Sequence, residues 1–196
     1  VGRRAPPVGS EPAEVDLEAP TYEPACWRGA DVLSRCTSAS GRAGLRLALT
    51  RGTEVEPGSA VAFGPHLLGL VEMAGSYTAR VRTLSDPGLV LSLLARVEGE
   101  RYPAAIGRVT TEGLGPNGTL RVRWEARVGI GGDGGPVSAR LFTGGGVRGV
   151  PRGLLVGSAR LPRTTGVHEL LIQPGTDGAN CQWVEVWIGP GAEAGG

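Results

Sequence analysis

The chain has 196 residues, 40% hydrophobic and 20% charged, with 34 Gly, 15 Pro and only 5% aromatic residues, enough for one good-sized domain or two small ones around a real core. No stretch approaches the roughly 20 uninterrupted apolar residues of a membrane-spanning helix, and no charged-then-apolar leader opens the sequence, so no membrane span is expected. The net charge of +1 is spread along the chain, which argues against a polybasic binder of nucleic acid or anionic membrane.

In chain order, residues 1–25 hold Pro6, Pro7, Pro12, Pro20 and Pro24, with Arg3 and Arg4 set against Glu11, Glu14, Asp16, Glu18 and Glu23. With no apolar period and a net charge of −3, this segment reads as an extended Pro/Glu-rich arm. Gly29–Arg35 and the apolar stretch from His66 to Met73 are the helical candidates. From Gly44 onward, runs of alternating residues are separated by Gly, Pro and Asp clusters, the pattern of a sandwich or barrel. Leu45, Leu47 and Leu49 alternate, as do Tyr77, Ala79 and Val81 against Thr78, Arg80 and Arg82. Leu89–Val97 is more continuously apolar and is expected to be central. In Thr119–Val128, Leu120, Val122, Trp124, Ala126 and Val128 fall on one face and Arg121, Arg123, Glu125 and Arg127 on the other. Val137, Ala139 and Leu141 repeat the pattern; Leu154–Leu161, Val167–Gln173 and Cys181–Ile188 complete about eight strands.

Little helix and long connections point to an all-β fold: an antiparallel two-sheet β-sandwich of jelly-roll type. An immunoglobulin-like arrangement ranks second because its Cys…Trp…Cys spacing is missing. The expected layout is an arm at 1–25, a single sandwich domain at 26–190 and a Gly-rich tail at 191–196.

Chemistry is sparsely signalled. All 20 basic residues are Arg, which fits a GC-rich genome and weakens any argument that a particular Arg was chosen over Lys. With only His66 and His168, no Gly-x-Ser-x-Gly elbow and no Walker lysine, no catalytic set stands out, so a non-enzyme without cofactor or metal is expected. The three cysteines match neither a zinc site nor a CxxC pair; Cys26 and Cys36 are close enough in sequence to close a small disulfide loop, the alternative being buried thiols. Asn117-Gly118-Thr119 is an N-glycan acceptor triplet.

Two surfaces are expected from alternation. If Val184, Val186 and Ile188 face the core, Trp183, Glu185 and Trp187 share the other face, either as a platform for a sugar ring or as a contact covered by protein. Arg80, Arg82, Arg121, Arg123, Arg127 and Arg140 form an expected basic face, to be met by anions or neutralised by cross-strand acids. It lacks the interleaved aromatics that nucleic-acid binding favours, so contact with nucleic acid stays an open alternative.

Ala74-Gly75-Ser76-Tyr77-Thr78-Ala79-Arg80-Val81-Arg82, the run Leu89–Gly99, Thr165-Gly166-Val167-His168-Glu169-Leu170 and Trp183-Val184-Glu185-Val186 together resemble the strand order of galactose-binding-like jelly rolls. That family includes carbohydrate-binding modules, and the resemblance implies sugar binding without catalysis. By size and layout the chain is also similar to single-jelly-roll viral coat proteins. The leading expectation is therefore a self-assembling coat or capsid-decoration protein, located in the virion, with copies of itself and other virion proteins as partners. The alternative is a secreted glycan-binding module using the Trp183/Glu185/Trp187 face.

Overall fold

The computed structural model describes residues 26–37, 43–100, 103–127, 130, 134–176 and 180–189, with backbone only at 36, 37 and 43. The arm expected at 1–25 and the tail at 191–196 lie outside the described residues. Among the described residues, twelve strands run in order: β1 Trp27–Thr37, β2 Ala43–Ala48, β3 Ala60–Phe63, β4 His66–Ala74, β5 Thr78–Thr83, β6 Val90–Val97, β7 Ala104–Leu114, β8 Leu120–Ala126, β9 Val137–Thr143, β10 Leu155–Leu161, β11 Gly166–Pro174 and β12 Trp183–Trp187.

Each of the eight expected strand runs contains a strand, with Val128 of one run lying outside the described residues, but the two-sheet jelly roll is not what they build. The pairings close into two rings. β1, β2, β5, β4, β3 and β12 pair antiparallel around one six-stranded barrel. β6, β7, β8, β11, β10 and β9 pair antiparallel around a second. A parallel contact, Leu155 against His66, joins the two. The chain thus builds five strands of the first barrel, completes the second, and returns with β12 to fill the place between β1 and β3. The expected single sandwich at 26–190 is accordingly a pair of barrels.

Barrel closure resolves the burial pattern. Leu45, Leu47, Val61, Val71, Val81, Val184 and Val186 fill the first barrel. Leu93, Val109, Val122, Trp124, Leu141 and Ile172 belong to the other core cluster, which extends through Trp27, Ala60, Ala62, Leu67 and Leu70 on the outside of the first barrel. That shared cluster is the cement between the barrels. It also explains why His66–Met73, expected to be helical, is a strand: Leu68 and Val71 face the inside of the first barrel while Leu67 and Leu70 face the second. A strand buried on both faces reads as an unbroken apolar run and loses its two-residue period. Gly29–Arg35, the other helical candidate, lies within β1.

Six strands make a tight barrel, and its curvature demands close backbone approach where the ring closes. At the β4–β5 seam a Cβ on Gly69 would fall 2.1 Å from the Arg82 carbonyl oxygen; at the β10–β11 seam a Cβ on Gly157 would fall 2.2 Å from the Gln173 carbonyl oxygen. Each seam is therefore a glycine position.

The crossover from β5 to β6 is pinned by polar contacts around the buried Asp86 and Thr111. Arg82 donates Nε to Asp86 Oδ2 at 2.5 Å and Nη2 to the Pro87 carbonyl at 2.8 Å. Thr111 Oγ1 donates to the Asp86 carbonyl at 2.6 Å and accepts from Leu89 N at 2.9 Å. Thr143 plays the same part in the β9–β10 connection, donating to the Pro151 carbonyl at 2.7 Å and accepting from Leu154 N at 2.9 Å. Each buried hydroxyl satisfies two backbone groups that would otherwise be stranded.

Candidate interaction surfaces

β12 has the expected alternation. Val184 and Val186 are fully buried in the first barrel, and Trp183, Glu185 and Trp187 lie on its outer side. The three do not form one open platform. Trp187 packs edge-to-face on Trp27, ring centroids 5.2 Å apart, and joins the core shared by the barrels. Trp183 is 45% exposed, and its indole lies across Gly29, where a Cβ would meet Nε1 at 2.7 Å. The glycine on β1 makes room for an aromatic ring from the neighbouring strand.

The six arginines expected to share a basic face are divided between the barrels. Arg80 and Arg82 are on β5; Arg121 and Arg123 are on β8, Arg127 follows it, and Arg140 is on β9. Several are neutralised locally: Arg80 by Glu72 at 3.0 Å, Arg82 by Asp86, and Arg121 by Glu169 at 3.3 Å. Arg140 belongs instead to a group on the second barrel with Arg96 and Arg160, two residues that no local pattern singles out. Strand register alone brings those three together.

The short disulfide is also corrected. Cys26 precedes β1 and Cys36 lies near its far end, so ten extended residues at ~3.3 Å each hold them roughly 30 Å apart, far beyond the ~7 Å limit of a bridge. Cys26 is buried in the shared core and Cys181 in the first barrel. Asn117 stands exposed at the tip of the β7–β8 turn with φ of 54°. His66 lies at the barrel junction opposite Leu155, while His168 on β11 packs against Trp124 and contacts the Thr164 carbonyl at 2.9 Å. The two histidines are thus in different places with structural surroundings. Among the described residues, no group of three His, Cys, Asp or Glu side chains is arranged to hold a metal ion.

Sequence reasoning missed an apolar feature of the first barrel. A groove of about 760 Å³ runs over its outer face, lined by Met73, Ala74, Arg46 and Arg80. Met73 is 64% exposed and Leu33, next to the groove residue Ser34, is 54% exposed. Leu33 sits at the register shift in β1, where a bulge turns a side chain out of the ladder. The signal was the apolar run itself, which a helical reading of Gly29–Arg35 and His66–Met73 concealed.

These features define a class of protein: two antiparallel six-stranded barrels on one chain, the last strand returning to complete the first. Solved structures with a similar fold include several of the bacterial cell-shape protein MreC. The major periplasmic domain of the cell shape-determining filament MreC matches with a TM-score of 0.61 and 15% identity over 82% of this chain and 93% of that one. MreC from Listeria monocytogenes matches at 0.60 and 19% identity, over 83% and 75% of the two chains. MreC in its complex with the penicillin-binding protein PBP2 from Helicobacter pylori matches at 0.57 and 11% identity, over 83% and 97%. No protein-family model and no curated protein matches the sequence.

These likenesses overturn the jelly-roll resemblance, and with it both the viral coat or decoration reading and the carbohydrate-binding alternative. A virion location and virion partners fall for the same reason. The error arose because alternating strands of 6–10 residues are shared by sandwiches and barrels, and the strand pairings that separate them join residues far apart in sequence.

Proposed function

We propose that this chain is the barrel region of an MreC-like cell-shape protein, working outside the bacterial cytoplasmic membrane as a non-enzymatic scaffold. The observation that carries the reading is the strand path: a second closed barrel inserted between β5 and β12 of the first, in a fold that aligns with MreC periplasmic domains over most of both chains. Its partners in this reading are a penicillin-binding protein, as in the Helicobacter pylori complex, and further copies of itself, as in the filament to which another similar structure belongs. Exposed apolar side chains on the first barrel, Met73 and Leu33, supply the kind of anchor that protein docking uses.

The test is made in the source cell. Depletion should change cell shape, and the affinity-tagged chain should recover a penicillin-binding protein from cross-linked envelopes. Unaltered shape together with no penicillin-binding protein in the eluate overturns the proposal.

A further inference from the structure

The outer face of the second barrel carries a concavity of about 880 Å³ lined by Arg96, Arg140, Arg160, Ser138, Ser158 and Gln173. Strand register sets its geometry. Arg96 on β6 is opposite Arg140 on β9, Arg140 is opposite Ser158 on β10, and Ser158 is opposite Gln173 on β11. These four form a single row, about 14 Å across at ~4.8 Å per strand. Two residues along β10, Arg160 lies opposite Ser138.

Like charges directly opposite on neighbouring strands are destabilising, yet Arg96 and Arg140 hold such positions. Arg140 and Arg160 have no carboxylate partner among the described residues, in contrast to Arg80, Arg82, Arg121 and Arg148, which each have one. The Arg140 guanidinium rests 5.5 Å from the centroid of the Phe142 ring, an arrangement that holds its planar fork in place. Arg140, so oriented, and Arg160 beside it are prepared for an anion that no described carboxylate supplies.

The rim identifies the kind of anion. Glu98 and Glu100 border the concavity at the end of β6, and they would repel a long phosphodiester chain or a sheet of anionic headgroups. Among the described residues, no aromatic side chain lines the concavity for base stacking. A peptide of mixed charge suits both parts. Neighbouring strands and a two-residue offset put Arg140 and Arg160 about 8 Å apart at Cα, close to the ~7 Å between alternate side chains of an extended peptide.

We propose that this face docks a short acidic segment of a partner protein, alternate carboxylates pairing with Arg140 and Arg160 and the segment then turning back across β9, so that a basic residue meets Glu98 and Glu100 on the β6 side. Ser138, Ser158 and Gln173 are placed to hydrogen-bond its backbone. The surface lies on the second barrel, apart from the apolar groove of the first, and the proposal does not depend on the cell-shape reading.

Fluorescence anisotropy with the full chain and a labelled Ser-Glu-Ser-Glu-Ser-Lys peptide tests it. Expected are saturable binding at low salt, weakening of at least tenfold by Arg140→Glu or Arg160→Glu, no change by Arg148→Glu, and weaker binding when the peptide lysine is replaced by glutamate. Arg140→Gln and Arg160→Gln serve if a charge reversal disturbs the circular dichroism spectrum. No saturation by millimolar protein, equal losses in the Arg148→Glu control, or preference for an all-glutamate peptide or for phosphatidylglycerol vesicles overturns the proposal.

Discussion

The indole of Trp183 crosses the backbone of Gly29 so closely that a Cβ there would stand 2.7 Å from Nε1. The two lie on adjacent strands, with Gly29 opposite Glu185 and Trp183 opposite Asp31, so the ring reaches diagonally over the gap left by the missing side chain. Glycine at this position shields the strand pair through a neighbour's ring. Gly29→Val should push the indole into solvent without unfolding the barrel. A red shift of the tryptophan emission measures it, and a variant Trp183→Phe should abolish the shift.

Trp183 and Trp187 flank the same carboxylate but differ in energetic weight. Trp187 joins the core between the barrels and contacts Trp27, so Trp187→Ala should cost about 3 kcal/mol. Trp183→Ala, at a half-exposed position, should cost about 1 kcal/mol. Urea titration followed by circular dichroism separates the two; equal losses would contradict the packing described.

The closure seams should be intolerant of any side chain. Gly69→Ala and Gly157→Ala each place a methyl within 2.2 Å of a carbonyl oxygen on the partner strand, which forces the seam apart. Each variant should lose more than about 3 kcal/mol. A control, Gly52→Ala, has no atom within 4 Å of the new methyl but a φ of 83°, and should lose only about 1 kcal/mol. Melting temperatures of the three variants check the ranking.

Asp86 is fully buried beneath Arg82, whose side chain is 24% exposed. Arg82→Ala leaves the carboxylate in the interior without its cation, for a loss of about 3–5 kcal/mol; Arg82→Lys should recover part of it, since a lysine supplies charge without the fork. Denaturant midpoints measured side by side decide this.

Thr111 and Thr143 are buried and each bridges two backbone groups of a connection. Thr111→Val and Thr143→Val preserve shape but strand a donor and an acceptor, at about 2 kcal/mol each. The sites share no hydrogen-bond partner, so the double variant should lose the sum within about 0.5 kcal/mol. Hydrogen exchange should report faster exchange at Leu89 N in the first variant and at Leu154 N in the second.

Local pattern carried the strands of this chain a long way. The alternation of β8 and β12 showed which residues face inward, because a strand half-buried on one side writes its burial into every second position. Four strands were not legible. β4 is buried on both faces and so has no period; β1 carries a bulge at Leu33, where the alternation changes phase. β3 is four residues long, and β7 is interrupted by Gly107 and Gly113 with φ of 87° and 108°. Which strands pair was decided only in three dimensions. The return of β12 to β1 and β3 joins residues more than 120 positions apart, and the two glycine seams gain their meaning only once a partner carbonyl lies against them. The arginine group on β6, β9 and β10 has the same origin: alternation places each side chain on an outer face, but register across three strands makes neighbours of Arg96, Arg140 and Arg160. Periodicity is a property of a strand with its own two faces; closure, and the surfaces that closure assembles, belong to contacts between strands that the local chain does not encode.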